Sequence, residues 1–239
     1  GSLEEAFPNE GSYCVTALVA FDLLVAIDLL YGLINEELKN EWLKIVSPMI
    51  RFLVQGDETH ALISNHLATA VAALVRWGKL VGGGQDETSK AAVLLERILR
   101  NQSTEGWFKE YEGADPGYQS LCTYYLADVH LNRKDFNLLD PLRQSIQFLW
   151  HFAHPDGSFG GYYGSRSTRF FYPGGLLALS EEMPEAHSLS EFMAESISEQ
   201  RVVGLSGMDE PNLAPMFNSY AWAASLEKKL PLQNIFDIS

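Results

Sequence analysis

Cysteine is scarce in this sequence of 239 residues, which contains only Cys14 and Cys122. Two cysteines cannot form a disulfide framework, and these two lack the paired spacing of zinc ligands. The sequence also contains no glycine-rich phosphate loop, no dinucleotide-binding fingerprint and no other metal-ligand spacing. It therefore predicts neither a cofactor nor a metal ion.

Basic residues are also few, because 17 Lys and Arg are outnumbered by 31 Asp and Glu, giving a formal net charge of −14. Proteins that bind nucleic acid need clustered Lys and Arg to contact phosphates. An acidic surface is likewise repelled by anionic lipid headgroups. The composition therefore argues against nucleic acid and membrane surfaces as partners.

Apolar residues form no uninterrupted run long enough to cross a membrane, which takes about 20 residues. The longest apolar region, Val15 to Leu33, is broken by Asp22 and Asp28. We therefore expect a soluble chain, and no signal peptide is recognisable. The first residues are Gly1-Ser2 instead of Met, which we interpret as a remnant of cloning or cleavage. The compartment stays unknown, as does whether the chain is a fragment.

Hydrophobic residues make up 46% of the chain and recur mostly at helical spacing. We predict a single all-α domain over residues 1–239. Alternating β patterns are scarce, and only the stretch from Phe159 to Tyr172 is compatible with short strands. The predicted helices cover residues 12–34, 36–55, 58–81, 86–101, 116–132, 138–153, 171–180, 187–200 and 215–228.

A weak internal repeat connects two turns of the sequence. The segment from Glu105 to Phe108 precedes the similar segment from Asp156 to Phe159 by 51 residues, and the same offset aligns Leu95 with Ile146. Repeats of this size are typical of stacked helix pairs. We predict a curved array of antiparallel helix pairs whose connecting loops surround a cleft, with a plain α-solenoid as the alternative.

The stretch from Asp115 to Gln119 contains the first candidate site residue. Asp115 has the chemistry of a helix N-cap and Pro116 that of a first helical residue. Tyr118 then falls in the first turn, where its hydroxyl can face a cleft and the helix dipole favours a phenolate or an anionic ligand. The structural alternative is that Asp115 only caps the helix and Tyr118 only packs.

The adjacent Asn65 and His66, within the predicted helix 58–81, are the second candidates. Asn65 shares a helix face with Arg76, whereas His66 shares an apolar face with Trp77. A single histidine on an apolar face is more often a core residue than a catalyst. The neighbouring Asn shifts that balance modestly toward a functional pair.

The third candidate stretch, Asp156 to Pro173, contains four glycines, six aromatic residues and two arginines within 18 residues. Aromatic rings beside arginine are typical of sugar-binding sites, and the planar guanidinium of Arg166 or Arg169 matches a carboxylate. Trp107 would extend the same aromatic lining. The alternative is a loop whose aromatic side chains cover the core.

In this order, three segments resemble the helical toroid domain of the heparinase II/III and alginate-lyase-like superfamily over about residues 60–180. They are Asn65-His66, the segment containing Glu105-Gly106, Glu110 and Asp115 to Gln119, and Asp156 to Ser158. The resemblance implies an incomplete α/α toroid with a glycine- and aromatic-rich loop region. It also implies a carbohydrate-active protein that cleaves a uronic-acid-containing polysaccharide by β-elimination.

The resemblance further implies roles for single residues. Asn65 would neutralise the substrate carboxylate, His66 would assist or act as base, and Tyr118 would be the general acid and also a candidate base. The residues expected to bind the poly- or oligosaccharide are Arg166, Arg169, Trp107, Gln119, Tyr172 and Arg76. Gln119 stands where the family has His, and the family's C-terminal β-sandwich is missing, so a further domain or partner is expected to complete the site.

Two other function classes stay open. A glycoside hydrolase on an α/α barrel would use Asp115 with Asp156 or Glu110, and needs two carboxylates about 5–10 Å apart in one cleft. A glycan-binding or scaffold domain would keep the fold without a competent acid and base. The Asp-Gly-Ser-Phe-Gly-Gly run is also similar to terpene-cyclase and prenyltransferase toroids, but the sequence contains no Asp-rich motif or zinc ligands of the required kind.

Overall fold

The computed structural model describes residues 1–227. This part of the chain contains helices and isolated β-bridges but no β-strand. The all-α prediction is therefore confirmed. Two short 3₁₀-helices, Lys134–Phe136 and Leu205–Gly207, join longer elements. The α-helices are α1 (Tyr13–Leu30), α2 (Glu36–Gln55), α3 (Ser64–Val81), α4 (Gln85–Arg100), α5 (Pro116–Asn132), α6 (Leu139–Trp150), α7 (Pro173–Leu179), α8 (Pro184–Ser198) and α9 (Glu210–Glu227).

Helices α1, α2 and α5 begin at residues whose side chains satisfy free backbone N–H groups. The hydroxyl of Ser12 accepts from the backbone nitrogen of Val15 at the start of α1, and Asn35 caps α2 in the same way. Asp115 caps α5 with Pro116 as the first helical residue, as predicted. These contacts place the helix starts within a few residues of the sequence prediction.

Three helices start three or more residues away from the prediction, and α1 and α6 end at Leu30 and Trp150, before the predicted residues 34 and 153. Helix α3 begins at Ser64 instead of residue 58, because Ile63 forms an isolated bridge with Glu110. Helix α8 begins three residues early, at Pro184, which suits a first helical position. Helix α9 begins at Glu210 instead of residue 215, and residue 228, its predicted end, lies outside the described residues. The stretch from Phe159 to Tyr172 contains only isolated bridges.

The helices pack in two groups. The odd-numbered helices contact one another in chain order from α1 to α9, and α9 also touches α1. The even-numbered helices flank them: α2 and α4 pack on α1 and α3, and α6 and α8 pack on α5 and α7. Helix α5 contacts α3, α6 and α7, and nearly all of its residues are buried.

Gly175 allows α7 to approach α5 closely. A Cβ atom at this position would lie 2.6 Å from the Cα atom of Tyr124 and 3.1 Å from the carbonyl oxygen of Thr123. No side chain fits at that distance. The contact between these two helices therefore depends on the absence of a side chain at residue 175.

The repeated turns have the same backbone hydrogen bonds. The nitrogen of Ser103 donates to the carbonyl of Trp107 at 2.9 Å, and 51 residues later the nitrogen of His154 donates to the carbonyl of Ser158, also at 2.9 Å. Each turn connects the end of an even-numbered helix to the segment before the next odd-numbered helix. The 51-residue sequence offset therefore corresponds to a structural repeat.

Equivalent glycines and phenylalanines complete the two turns. Gly106 has a φ of +95° and Gly157 a φ of +86°, a region that residues with side chains rarely adopt. Two residues after each glycine, Phe108 and Phe159 are fully buried. Each turn thus anchors its loop in the core with one aromatic ring.

Helix α1 is long and apolar enough to span a membrane by length and composition, and 39% of that span is buried in the structure. A core helix passes the same test. Within the structure, α1 contacts α2 and α3, and its Asp28 forms an ion pair with Arg76 of α3 at 2.9 Å. These contacts pack one side of α1 against the rest of the structure.

Candidate functional site

The starts of α3, α5, α7 and α9 are joined by direct contacts. Ser64 of α3 donates from its backbone nitrogen to Lys109, in the loop before α5. Asp115, which caps α5, accepts from the backbone nitrogen of Arg166, in the loop before α7. Tyr172, next to α7, donates from its hydroxyl to Asn212 of α9. These helix starts and their loops therefore form one end of the molecule, called here the N-terminal end.

Asn65 lies at this end and contacts Glu110 twice. Its backbone nitrogen lies 2.9 Å from Oε1 of Glu110, and its side-chain nitrogen lies 2.7 Å from Oε2. Burial raises the pKa of the Glu110 carboxyl to about 8, although both hydrogen bonds from Asn65 favour the charged form. At neutral pH Glu110 is therefore mostly a neutral acid, and Asn65 is held against it.

His66 contacts a different partner. Its Nδ1 lies 2.8 Å from Oε2 of Glu58, in the segment before α3. Burial acts to raise the pKa of Glu58, but the hydrogen bond from His66 and the nearby His60 hold it below its ordinary value. Asn65 and His66 are thus adjacent in sequence, but one contacts the loop before α5 and the other the loop before α3.

Tyr118 lies beside an exposed arginine. The guanidinium carbon of Arg166 is 5.7 Å from the centroid of the Tyr118 ring and 5.1 Å from that of Tyr111. Nη1 of Arg166 also donates to the Tyr111 hydroxyl at 2.8 Å. Burial raises the pKa of Tyr118, and the Arg166 cation opposes that shift. These three residues are called the arginine–tyrosine cluster below.

Asp115 holds Arg166 in place. This fully buried carboxylate accepts from the backbone nitrogens of Tyr118 at 3.2 Å and Arg166 at 2.8 Å, and from the hydroxyl of Thr168. Glu110 directly precedes Tyr111 of the cluster in sequence, and Asp115 raises and Arg166 lowers the pKa of Glu110. The Asn65–Glu110 pair is therefore adjacent to the arginine–tyrosine cluster.

An open groove of about 880 Å³ runs beside this cluster. The loop before α5, the end of α6 and the loop before α7 all contribute to it, and it is called the aromatic groove below. Trp107 and Tyr111, both singled out in the sequence, are among its lining residues. Its five aromatic side chains are Trp107, Tyr111, Phe148, Phe152 and Tyr163.

Gln119 and Tyr172 are fully buried instead of lining the groove. The side chain of Gln119 accepts from the nitrogen of Phe108 at 2.8 Å and donates to the hydroxyl of Ser145 at 2.6 Å. It thereby holds the turn that contains Gly106. The Tyr172 hydroxyl donates to Asn212 at 3.3 Å. Both residues connect elements of the N-terminal end without exposing polar atoms.

The two remaining predicted arginines lie apart. Arg76 is eleven residues beyond Asn65 on α3, about 16 Å along the helix axis, and binds the buried Asp128 as well as Asp28. Arg169 is exposed, with its guanidinium carbon 5.0 Å from the centroid of the Tyr162 ring. The structure therefore brings together Asn65, Tyr118, Trp107 and Arg166, and places Arg76 elsewhere.

Three aromatic residues of the groove are not distinguished by the sequence. Phe148 lies in the last turn of α6 and Phe152 two residues beyond its end, where helical periodicity alone predicts core residues. Tyr163 was one of six aromatic residues in its stretch, and nothing in the pattern distinguished it. The 51-residue offset could have indicated these residues, because it aligns the end of α6 with the end of α4, the helix that precedes Trp107.

Comparisons with protein-family models, curated proteins and solved structures gave no match for this chain. The resemblance to the heparinase II/III and alginate-lyase-like superfamily therefore stays a prediction. Among residues 1–227, no group of three His, Cys, Asp or Glu side chains is arranged to hold a metal ion.

Proposed function

We propose that this protein binds an acidic polysaccharide in the aromatic groove and cleaves it by β-elimination at a uronic acid. The observation that supports the proposal is the position of Arg166, which is exposed and packs over Tyr111, a residue of the groove. Aromatic rings suit the apolar faces of sugars, and a guanidinium matches a carboxylate in charge and geometry.

The chemistry of the reaction assigns a role to each group. The C5 proton of a uronate is too weakly acidic until the adjacent carboxylate is neutralised, and Arg166 supplies that positive charge. The C5–H and C4–O4 bonds then break, a C4–C5 double bond forms, and an acid protonates O4. Tyr118 accepts the C5 proton as base in this proposal, and the neighbouring guanidinium opposes the rise in its pKa that burial causes.

Asn65 and Glu110 support this site from behind the groove. Only 4% of Asn65 and 1% of Glu110 is exposed, so neither side chain contacts the sugar in the proposed complex. Their hydrogen bonds fix the loop that presents Trp107 and Tyr111. A β-sandwich domain or a partner protein that supplies further groups stays part of this proposal.

The helix packing supports a finer description of the fold within the same proposal. The odd-numbered helices follow one another in contact and the even-numbered helices lie against them, which is the order of an α/α toroid. An incomplete toroid would place all the loops of the N-terminal end around one cleft. The aromatic groove lies at that end.

Incubation with uronate polymers, such as alginate, pectate and hyaluronan, tests the proposal. Elimination yields an unsaturated product whose ultraviolet absorbance is measured directly. Arg166→Gln should lower the rate by about 10²–10³-fold, the usual cost of losing one donor to developing charge. Arg51→Gln changes another exposed arginine, on α2, and should leave the rate unaltered. Wild-type protein that releases no unsaturated product from any uronate polymer would overturn the proposal.

A non-catalytic glycan-binding domain is the second candidate. It is favoured by the burial of Asn65 against Glu110 and by the buried hydrogen bonds of Gln119, since these groups cannot take part in catalysis directly. Binding of acidic oligosaccharides without product formation would support this candidate. The glycoside hydrolase alternative is disfavoured, because Asp115 is fully buried and both its oxygens accept hydrogen bonds.

A further inference from the structure

The aromatic groove contains a second tyrosine with its own chain of hydrogen bonds. The Tyr163 hydroxyl lies 2.8 Å from Nε2 of His154, and Nδ1 of His154 lies 2.9 Å from the hydroxyl of Ser158. The Ser158 hydroxyl lies 2.7 Å from Oδ1 of Asp156. The Tyr163 hydroxyl also lies 2.6 Å from the carbonyl oxygen of Gly160. This chain runs from a solvent-exposed carboxylate to a side chain that lines the groove.

The geometry of this series of hydrogen bonds restricts where its protons lie. Hydrogen bonds from the backbone and hydroxyl of Ser158 lower the pKa of Asp156, so Asp156 is ionised and the Ser158 hydroxyl proton points to it. Ser158 must then accept from Nδ1–H of His154. The Tyr163 proton points to the Gly160 carbonyl, so Tyr163 must accept from Nε2–H. All four contacts are satisfied when both nitrogens of His154 carry a proton.

A neutral imidazole leaves one contact without a proton. If Nε2 is unprotonated, the Tyr163 hydroxyl must donate to it. The Tyr163 hydroxyl oxygen and the Gly160 carbonyl oxygen then lie 2.6 Å apart without a hydrogen between them. If Nδ1 is unprotonated, the same conflict arises with the Ser158 hydroxyl, which already donates to Asp156. The four contacts therefore require that Nε2–H of His154 donates to the phenol oxygen of Tyr163 and that Nδ1–H donates to Ser158.

We propose that Tyr163 is the general acid that protonates the leaving O4 atom, and that His154 is its positioning residue. This inference rests on the proposed function and divides the two proton transfers between two tyrosines. Tyr163 lines the groove and is 41% exposed, whereas Tyr118 packs edge-on against Phe170 with a centroid distance of 5.3 Å. Burial raises the pKa of Tyr163, and a hydrogen bond donated to the phenol oxygen opposes that rise because it stabilises the phenolate.

The step balances without a further reactant. Tyr118 takes the C5 proton, and the C4–O4 bond breaks as the C4–C5 double bond forms. The Tyr163 hydroxyl, which rotates in the proposed complex from the Gly160 carbonyl toward O4, gives its proton to O4. The Tyr163 phenolate then takes the Nε2 proton of His154, and His154 regains a proton from solvent. Tyr118 returns the C5 proton to solvent, so each turnover leaves the enzyme unchanged.

A change of leaving group distinguishes a catalytic acid from a residue with a structural role. A uronide whose O4 substituent is 4-nitrophenyl needs no protonation of the departing oxygen, because nitrophenolate is a stable anion. Tyr163→Phe should therefore lose about 10²–10⁴-fold in rate on the polymer and keep nearly the wild-type rate on the nitrophenyl substrate. Tyr118→Phe, which removes the base, should lose rate on both substrates.

Matched variants complete the experiment. Tyr162→Phe changes the adjacent tyrosine, which is 85% exposed and is not among the groove residues, and should behave as wild type on both substrates. His154→Ala should lower only the polymer rate. His154→Gln, which still offers a donor to Tyr163, should retain more of that rate.

Two results would overturn the assignment of Tyr163 while leaving the proposed function standing. The first is a Tyr163→Phe variant with the wild-type rate on the polymer. The second is an equal loss of rate on both substrates, which indicates a structural role. If the wild-type protein cleaves neither substrate, the proposed function fails and the role of Tyr163 fails with it.

Discussion

The side-chain nitrogen of Asn65 lies 2.7 Å from Oε2 of Glu110 and joins the first turn of α3 to the loop before α5. The two residues are 45 positions apart in sequence. Because Glu110 is buried, this contact exchanges hydration of a carboxyl group for hydrogen bonds within the protein. The protonation state of Glu110 therefore influences the stability of the whole N-terminal end.

Protein stability is expected to fall as the pH rises from about 5 to 8. The folded pKa of Glu110, about 8, is above its ordinary value of 4.5, so the folded state binds more protons than the unfolded state between these limits. The stabilisation is fully present below the unfolded pKa and is lost as the pH rises through the folded pKa. Urea unfolding at several pH values measures the slope.

The variant Glu110→Gln, which resembles the neutral acid, should flatten this dependence on pH. Asp22, whose pKa burial raises to about 7, contributes a slope of the same sign in both proteins, so the difference between them isolates Glu110. The exposed Glu112→Gln provides the control. Parallel slopes for wild type and Glu110→Gln would contradict a raised pKa at this position.

Removal of the Arg76 side chain should strongly destabilise the protein. Arg76→Ala leaves the Asp128 carboxylate, which is 2% exposed, without its partner, and breaking such buried pairs costs about 3–5 kcal/mol. Arg133→Ala breaks an exposed pair with Asp135 and should have little effect on unfolding. The double change Arg76→Met and Asp128→Leu should recover much of the loss. A free energy of unfolding that does not change in Arg76→Ala would disprove a structural role.

The repeated turns should differ in their tolerance of alanine. A Cβ atom at Gly106 would lie 2.2 Å from the carbonyl oxygen of Gln144, whereas at Gly157 it would meet the flexible side chain of Arg201 at 2.4 Å. Both glycines have positive φ, which costs other residues about 1–3 kcal/mol. Gly106→Ala should therefore lower the melting temperature more than Gly157→Ala. Gly32→Ala, with no atom within 4 Å of the new Cβ, is the control.

Trp107 should contribute to oligosaccharide affinity through its position in the aromatic groove. Trp107→Ala is expected to weaken binding of acidic oligosaccharides by about tenfold, which corresponds to about 1.4 kcal/mol. Trp150→Ala removes another accessible tryptophan, which is 46% exposed and lies outside the groove, and should bind as wild type. Calorimetric titration measures both. Equal affinity for Trp107→Ala and wild type would argue against the groove as the sugar site.

The sequence predicts the helices well where local chemistry decides them. Asp115 and Pro116 define the start of α5 through a side-chain cap and a missing N–H group, and both effects act within four residues. Periodicity predicts the start of α3 six residues too early, because Ile63 pairs with Glu110 instead of joining the helix. Long-range pairing of this kind leaves no periodic signal.

The candidate site was predictable in part. Trp107 and Arg166 were expected to bind substrate from their residue types, and the structure places both beside the groove or the arginine–tyrosine cluster. The burial of Gln119 was not foreseen, because its partners Phe108 and Ser145 come from two other segments. Tertiary packing alone determines whether such a polar side chain faces solvent or the core.

Helix α5 is the main connection between the two halves of the described chain. Helices α1 to α4 contact the later helices chiefly through the packing of α3 on α5, and only a small contact joins α1 to α9. Neither half can unfold without exposing a face of α5. The backbone amides in the middle of α5 should therefore exchange with deuterium only through global unfolding, which makes this helix the slowest-exchanging segment of the protein.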